Sequence, residues 1–215
     1  NTFTAFNPFN DTTGGSNYDI AFDPISRKLI GMGQIAPGDL TTYLNGQMWS
    51  FQVDTNTFDH WNLPAGIAGG SFPKLEYSSS TGLVYVALPM GTGSYVNGQI
   101  YSYNPATAEF TVLHNYGASA TLRWPHQIVI DDTATPPVMY ISTTSGATGS
   151  AQGGISMMNL DGTGYLDLKY YADPVLTGAD PGVNAVSMFR HPMFVYGCRV
   201  YAFAPYVWST AGSLN

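Results

Sequence analysis

Charged side chains are scarce in this sequence, since Asp, Glu, Lys and Arg make up only 10% of its 215 residues. Seven residues are Lys or Arg and 14 are Asp or Glu, so the net charge is −7. The basic residues are scattered and form no stripe that could neutralise a phosphate backbone, which argues against nucleic acid as a partner. The same scarcity disfavours binding to anionic membrane surfaces.

Cysteine, long apolar runs and helical periodicity are also lacking. Cys198 is the only cysteine, which excludes an internal disulfide and a metal site built from several cysteines. No apolar run approaches about 18 residues, so the sequence predicts no membrane span. The 24 glycines and 14 prolines punctuate the chain too closely for long helices.

Strand-like segments recur about every fifty residues, which indicates a repeat architecture. Residues 43–51 recur as residues 95–103, and both copies contain Asn-Gly-Gln followed by alternating large apolar residues. Weaker copies begin at Gly153 and Gly197. After the first three copies, turn-forming residues lead to an aromatic residue at Phe58, Phe110 or Tyr165.

A second hairpin precedes each of these segments, so each repeat holds four strands, as a propeller blade does. The last copy is the least regular, with its first two strands predicted at residues 185–189 and 193–196. A β-sandwich is the runner-up, although a sandwich has no reason to repeat its side chains in register.

The sequence therefore predicts an all-β protein with a single β-propeller domain over residues 1–215. Its four four-stranded blades of about 53 residues form either a four-bladed ring or a fragment of a larger propeller. The blades are predicted at residues 14–64, 69–117, 121–172 and 181–215. Residues 1–9 are predicted to be a fourth strand that closes the last blade.

The hairpin at residues 98–110, Gly-Gln-Ile-Tyr-Ser-Tyr-Asn-Pro-Ala-Thr-Ala-Glu-Phe, resembles that of kelch-type and related propeller blades. The likeness covers roughly a third of each repeat. Two features depart from that pattern, since Phe58, Phe110 and Tyr165 replace the usual Trp and no Gly-Gly follows the second strand. The resemblance implies a propeller and supplies no functional residues, because propellers host unrelated functions.

The beginnings of the first strands supply the candidate ligand site. In a propeller they converge on the central channel, whose mouth is a common place for ligands. Four polar residues occupy these positions: Asp19, Lys74, His126 and Asn184. They are predicted either to bind a ligand at the channel mouth or only to solvate the channel.

Three aromatic residues fall outside the repeated pattern, namely Tyr171, Tyr206 and Trp208. They are candidates for stacking on a glycan or for contact with a protein. Asn10 opens the sequence Asn-Asp-Thr, an N-glycosylation acceptor that would be accessible in a turn.

Neither a catalytic motif nor a cofactor motif is present, so no catalytic residue is predicted. Asp131 and Asp132 lie in a turn and could hold calcium together with carbonyl groups, but the Asp-x-Asp-x-Asp spacing is missing. No other metal site is predicted, and the lack of motifs argues against an enzyme without deciding the point.

The low charge and the Ser, Thr, Asn, Gly and Tyr content favour an extracellular structural or adhesive propeller, for example the repeating subunit of a surface fibre or sheath. The expected partners are copies of the chain, other extracellular proteins, or glycans. Two alternatives stay open. One is a lectin-like, glycan-binding propeller, and the other is a propeller hydrolase or lactonase that acts at the channel mouth.

Overall fold

The computed structural model describes residues 16–34, 46–64, 70–71, 73–91, 98–117, 124–144, 153–170, 183–184, 193–196, 199–202 and 208–209. Every regular element in these ranges is a β-strand, which confirms the predicted all-β class. Accordingly, no helix in these ranges is long and apolar enough to cross a membrane.

Three antiparallel sheets each contain four strands that pair in chain order. Sheet 1 consists of β1 (Ser16–Asp23), β2 (Lys28–Gln34), β3 (Gly46–Gln52) and β4 (Thr57–Asn62). Sheet 2 consists of β6 (Lys74–Tyr77), β7 (Val84–Leu88), β9 (Gln99–Asn104) and β10 (Glu109–Asn115), and a short pair, β5 (Gly70–Ser71) with β8 (Met90–Gly91), flanks its first hairpin. Sheet 3 consists of β11 (Trp124–Asp131), β12 (Val138–Thr144), β13 (Gly153–Asn159) and β14 (Leu166–Tyr170).

Three of the described hairpins return through a residue other than glycine with positive φ. In sheet 1 the two residues are Arg27 and Asn56, each with a φ of 54°. In sheet 2 the residue is Ala108, with a φ of 59°. In the last of these turns, the Ala108 amide donates a hydrogen bond to the Asn104 carbonyl at 2.8 Å. Because turn geometry sets the register of a hairpin, the shared turn places equivalent side chains of the repeat on equivalent faces.

Sheet 2 lies between sheets 1 and 3, and its central strands β7 and β9 are buried on both faces. All five residues of β7 are buried, and alternate side chains point to opposite sides. Val84 and Val86 pack with Ile30 of sheet 1, whereas Tyr85 packs with Met139 of sheet 3. Each buried aliphatic side chain contributes roughly 1.5–3 kcal/mol. A two-layer sandwich buries one face of each sheet, so it does not describe this three-layer stack.

The first strands of successive sheets are neighbours, since β1 contacts β6 and β6 contacts β11. After sheet 3, the described residues of the chain form four short strands. There, β15 (Val183–Asn184) pairs with β18 (Trp208–Ser209), and β16 (Met193–Tyr196) pairs with β17 (Arg199–Ala202).

The strand β16 contacts β11, which is the position of a first strand, whereas the sequence repeat predicts a second strand at residues 193–196. The β15–β18 pair flanks the β16–β17 hairpin as the β5–β8 pair flanks the β6–β7 hairpin. The hairpin of β16 and β17 thus corresponds to the first two strands of a repeat. The predicted closing strand at residues 1–9 lies outside the described residues.

Candidate functional site

A cavity of about 380 Å³ lies between the inner strands β1 and β6, and we call it the inner cleft. This volume is within the range of small-molecule pockets. Its lining combines apolar and polar side chains, among them Ile20, Phe22, Tyr77, Glu76, Ser79 and Asp132.

The apolar wall of the inner cleft comes from β1. Strand alternation buries Ala21 against sheet 2 and turns Ile20 and Phe22 to the other side. Those two side chains are 49% and 45% exposed. Large apolar side chains that stay exposed beside a cavity offer a contact surface for the apolar part of a ligand.

Glu76 places a carboxyl group in the inner cleft from the middle of β6. Burial raises the pKa of Glu76 to about 7, and the nearby carboxylates of Asp19 and Asp132 contribute in the same direction. Among the described residues, no hydrogen bond or ion pair reaches this carboxyl group. Above neutral pH the Glu76 carboxyl group is ionised, and the inner cleft then contains a negative charge that no described residue pairs with directly.

Two of the four residues predicted at the channel mouth, Asp19 and Lys74, are brought together at one end of the inner cleft. Lys74 Nζ lies 3.8 Å from Asp19 Oδ2, and the Leu75 amide donates a hydrogen bond to the same oxygen at 2.9 Å. A partly exposed pair of this kind contributes at most about 1 kcal/mol. Its main effect is to connect β1 to β6.

The other two predicted residues, His126 and Asn184, lie in β11 and β15. His126 is buried in β11, at a bulge between Pro125 and Gln127. Asn184 is the cross-strand partner of Trp208 in the β15–β18 pair. Asp19 and Lys74 are thus in contact, and the structure also pairs Asn184 with Trp208 across two strands, which the sequence did not predict.

Asp132 is held by the serine turn that follows β6. One carboxylate oxygen accepts hydrogen bonds from the Ser78 and Ser80 hydroxyls at 2.6 and 2.7 Å. The other accepts from the Ser79 amide and hydroxyl at 2.7 and 2.8 Å. Burial raises the pKa of Asp132, but the hydrogen bonds from Ser78, Ser80 and Ser79 outweigh it and leave the pKa below its usual value. These contacts connect sheet 3 to sheet 2.

The neighbouring Asp131 binds within its own turn, where it accepts hydrogen bonds from the Thr133 amide and hydroxyl at 3.0 and 2.6 Å. Calcium at this turn would have to displace the hydrogen bonds of both aspartates. In the described ranges, no group of three or more His, Cys, Asp and Glu side chains is close enough to hold a metal ion. The candidate residues Asn10, Tyr171 and Tyr206 lie outside those ranges.

Sequence reasoning does not single out Glu76 or the serines at 78–80 as parts of a site. The sequence feature that could have identified Glu76 is the alternation of charged and apolar residues in the first strand β6. The run of serines predicts only a turn. Its contact with Asp132 could not be predicted, because the two lie more than fifty residues apart along the chain.

Comparison of the chain with protein-family models found no match. Comparison with curated proteins found none either. The function is therefore argued from the sheet stack and the side chains described above.

Proposed function

We propose that the chain forms a β-propeller and serves as an extracellular structural or adhesive unit. The proposal depends mainly on the neighbouring first strands β1, β6, β11 and β16, combined with face-to-face packing of the sheets. Sheets that share an inner strand position and stack through their faces are the arrangement of propeller blades. The hairpin resemblance to kelch-type blades is in keeping with this architecture.

The outer faces of the sheet stack support a role in assembly. Leu166 and Leu168 of β14 are 54% and 44% exposed. At the opposite end of the stack, Phe58 and His60 of β4 form an aromatic pair, with ring centroids 5.9 Å apart. In sheet 2 the equivalent faces are both covered by a neighbouring sheet.

We propose that a second copy of the chain packs against these outer faces. The contacts between sheets 1 and 2, and between sheets 2 and 3, already demonstrate how two sheets of this repeat pair. A head-to-tail contact between β14 of one copy and β4 of the next would continue that pattern. Such a heterologous contact builds a filament when it does not close into a ring.

Assembly is tested by sedimentation velocity and negative-stain microscopy over a range of protein concentrations. We expect concentration-dependent oligomers and filaments from the natural sequence, and monomers from Leu166→Lys/Leu168→Lys, because two charges would be placed in the contact. The matched control is Val53→Lys/Val112→Lys, which changes apolar residues that are 40% and 37% exposed elsewhere. This control should still assemble. Monomers of the natural sequence at every concentration would refute the assembly role and favour coverage of the faces within a single chain.

A further inference from the structure

We propose that the inner cleft binds an organic cation, namely a primary amine with an apolar body, and that its ammonium group is held by the Glu76 carboxylate. This binding site is separate from the outer strands β4 and β14 through which copies would assemble. The cleft combines a cavity, an apolar wall and one carboxylate, that of Glu76, which no described residue contacts by a hydrogen bond or ion pair.

The shape of the inner cleft suits an apolar group of the size of one aromatic ring. Ile20 and Phe22 project from β1 on the side opposite the core, and Tyr77 lines the cavity from β6. A ring placed against these side chains would cover apolar surface that is otherwise exposed to water, at roughly 25 cal/mol per Å².

The charges around the inner cleft favour a cation over an anion. Asp19 already has Lys74 and the Leu75 amide as partners, and Asp132 accepts four hydrogen bonds from the serine turn. Glu76 is the remaining acceptor, and it is repelled by both of those carboxylates. An ammonium group beside Glu76 would relieve that repulsion and satisfy the carboxylate by charge-assisted hydrogen bonds.

Benzylamine and benzyl alcohol serve as probes, because they share a ring and differ in whether the polar end is charged. Binding of each is followed by NMR chemical-shift titration at about pH 8, above the Glu76 pKa of about 7. We expect benzylamine to bind about tenfold more tightly than benzyl alcohol, because it offers the half-buried Glu76 carboxylate a charged hydrogen-bond donor and the alcohol offers a neutral one.

The variant Glu76→Gln should reduce benzylamine affinity to that of benzyl alcohol, whereas Asp59→Asn, which neutralises an exposed acid on β4, should leave it unchanged. Far-ultraviolet circular dichroism establishes that both variants are folded. Equal affinity for the two probes, absence of benzylamine binding, or full benzylamine affinity in Glu76→Gln would overturn the proposal. Calcium chloride is titrated as a competitor, and displacement of benzylamine by calcium from the natural sequence would show an inorganic cation site instead.

Discussion

At the scale of single residues, Gly31 is the position where the sheet leaves no room for a side chain. A Cβ at Gly31 would lie 2.2 Å from Trp49 Cζ2 and 2.4 Å from Trp49 Cε2. Trp49 is buried and packs against Phe58, so its ring cannot move without loss of that contact. We expect Gly31→Ala to lower the free energy of unfolding by about 1–3 kcal/mol, as overpacking does. Urea denaturation measures this value.

Gly117 provides the control for this substitution. A Cβ at Gly117 would meet no atom within 4 Å, so Gly117→Ala should change the free energy of unfolding by less than about 0.5 kcal/mol. Equal effects of the two substitutions would show that loss of glycine itself, and not the Trp49 ring, accounts for the destabilisation of Gly31→Ala.

Residue positions could be predicted from the sequence where the repeat aligns equivalent strands. Asp19 and Lys74 occupy equivalent positions in β1 and β6, and they form an ion pair because first strands are neighbours. The role of Glu76 could not be predicted in this way. Its environment depends on Asp132, a residue of another sheet whose position the repeat does not specify.

At the scale of elements, the turn after β11 is bonded to the serine turn after β6 through Asp132. We expect Asp132→Ala to lower the free energy of unfolding at pH 7 by about 2 kcal/mol, because four partly exposed hydrogen bonds are lost. The folded-state pKa of Asp132 lies below its ordinary value of 3.8, so its stabilisation is present above that pH. It is lost as the pH falls through the folded-state pKa, and the difference between the two proteins should therefore shrink as the pH falls below 3.8.

Asp131→Ala is the matched control, since Asp131 bonds only within its own turn through Thr133. We expect a loss of less than about 1 kcal/mol from this variant. A double-mutant cycle between Asp132→Ala and Ser79→Ala should give a coupling energy of about 0.5 kcal/mol or more. A coupling energy near zero would contradict the described contact between the two turns.

Elements could be predicted from the sequence where turn chemistry separates alternating apolar runs. The turn before Glu109, with Asn104 and Pro105, returns the chain at the expected position. The prediction differs from the structure at residues 193–196, which lie at a first-strand position beside β11. A weak repeat gives no residue pattern that distinguishes a first strand from a second, and only contact with the neighbouring sheet assigns the position.

At the scale of the whole molecule, the repeat predicted four four-stranded propeller blades, and the described part of the chain contains three four-stranded sheets that stack face to face. The number of sheets in a complete ring could not be predicted, because equivalent faces pair in the same way whatever that number is. Side chains such as Tyr85 and Val86 point alternately into the two interfaces of sheet 2. This double burial distinguishes the middle sheet from the outer two.

Hydrogen exchange should follow this layering. We expect amides of β7 and β9 to exchange most slowly, since both strands are central in sheet 2 and their residues are nearly all buried. The edge strands β4 and β10 alternate between exposed and half-buried residues and should open at lower free energy. Mass spectrometry of peptides that cover these strands measures the order. Slower exchange in β10 than in β9, or equal protection of β4 and β7, would contradict this dependence of stability on strand burial.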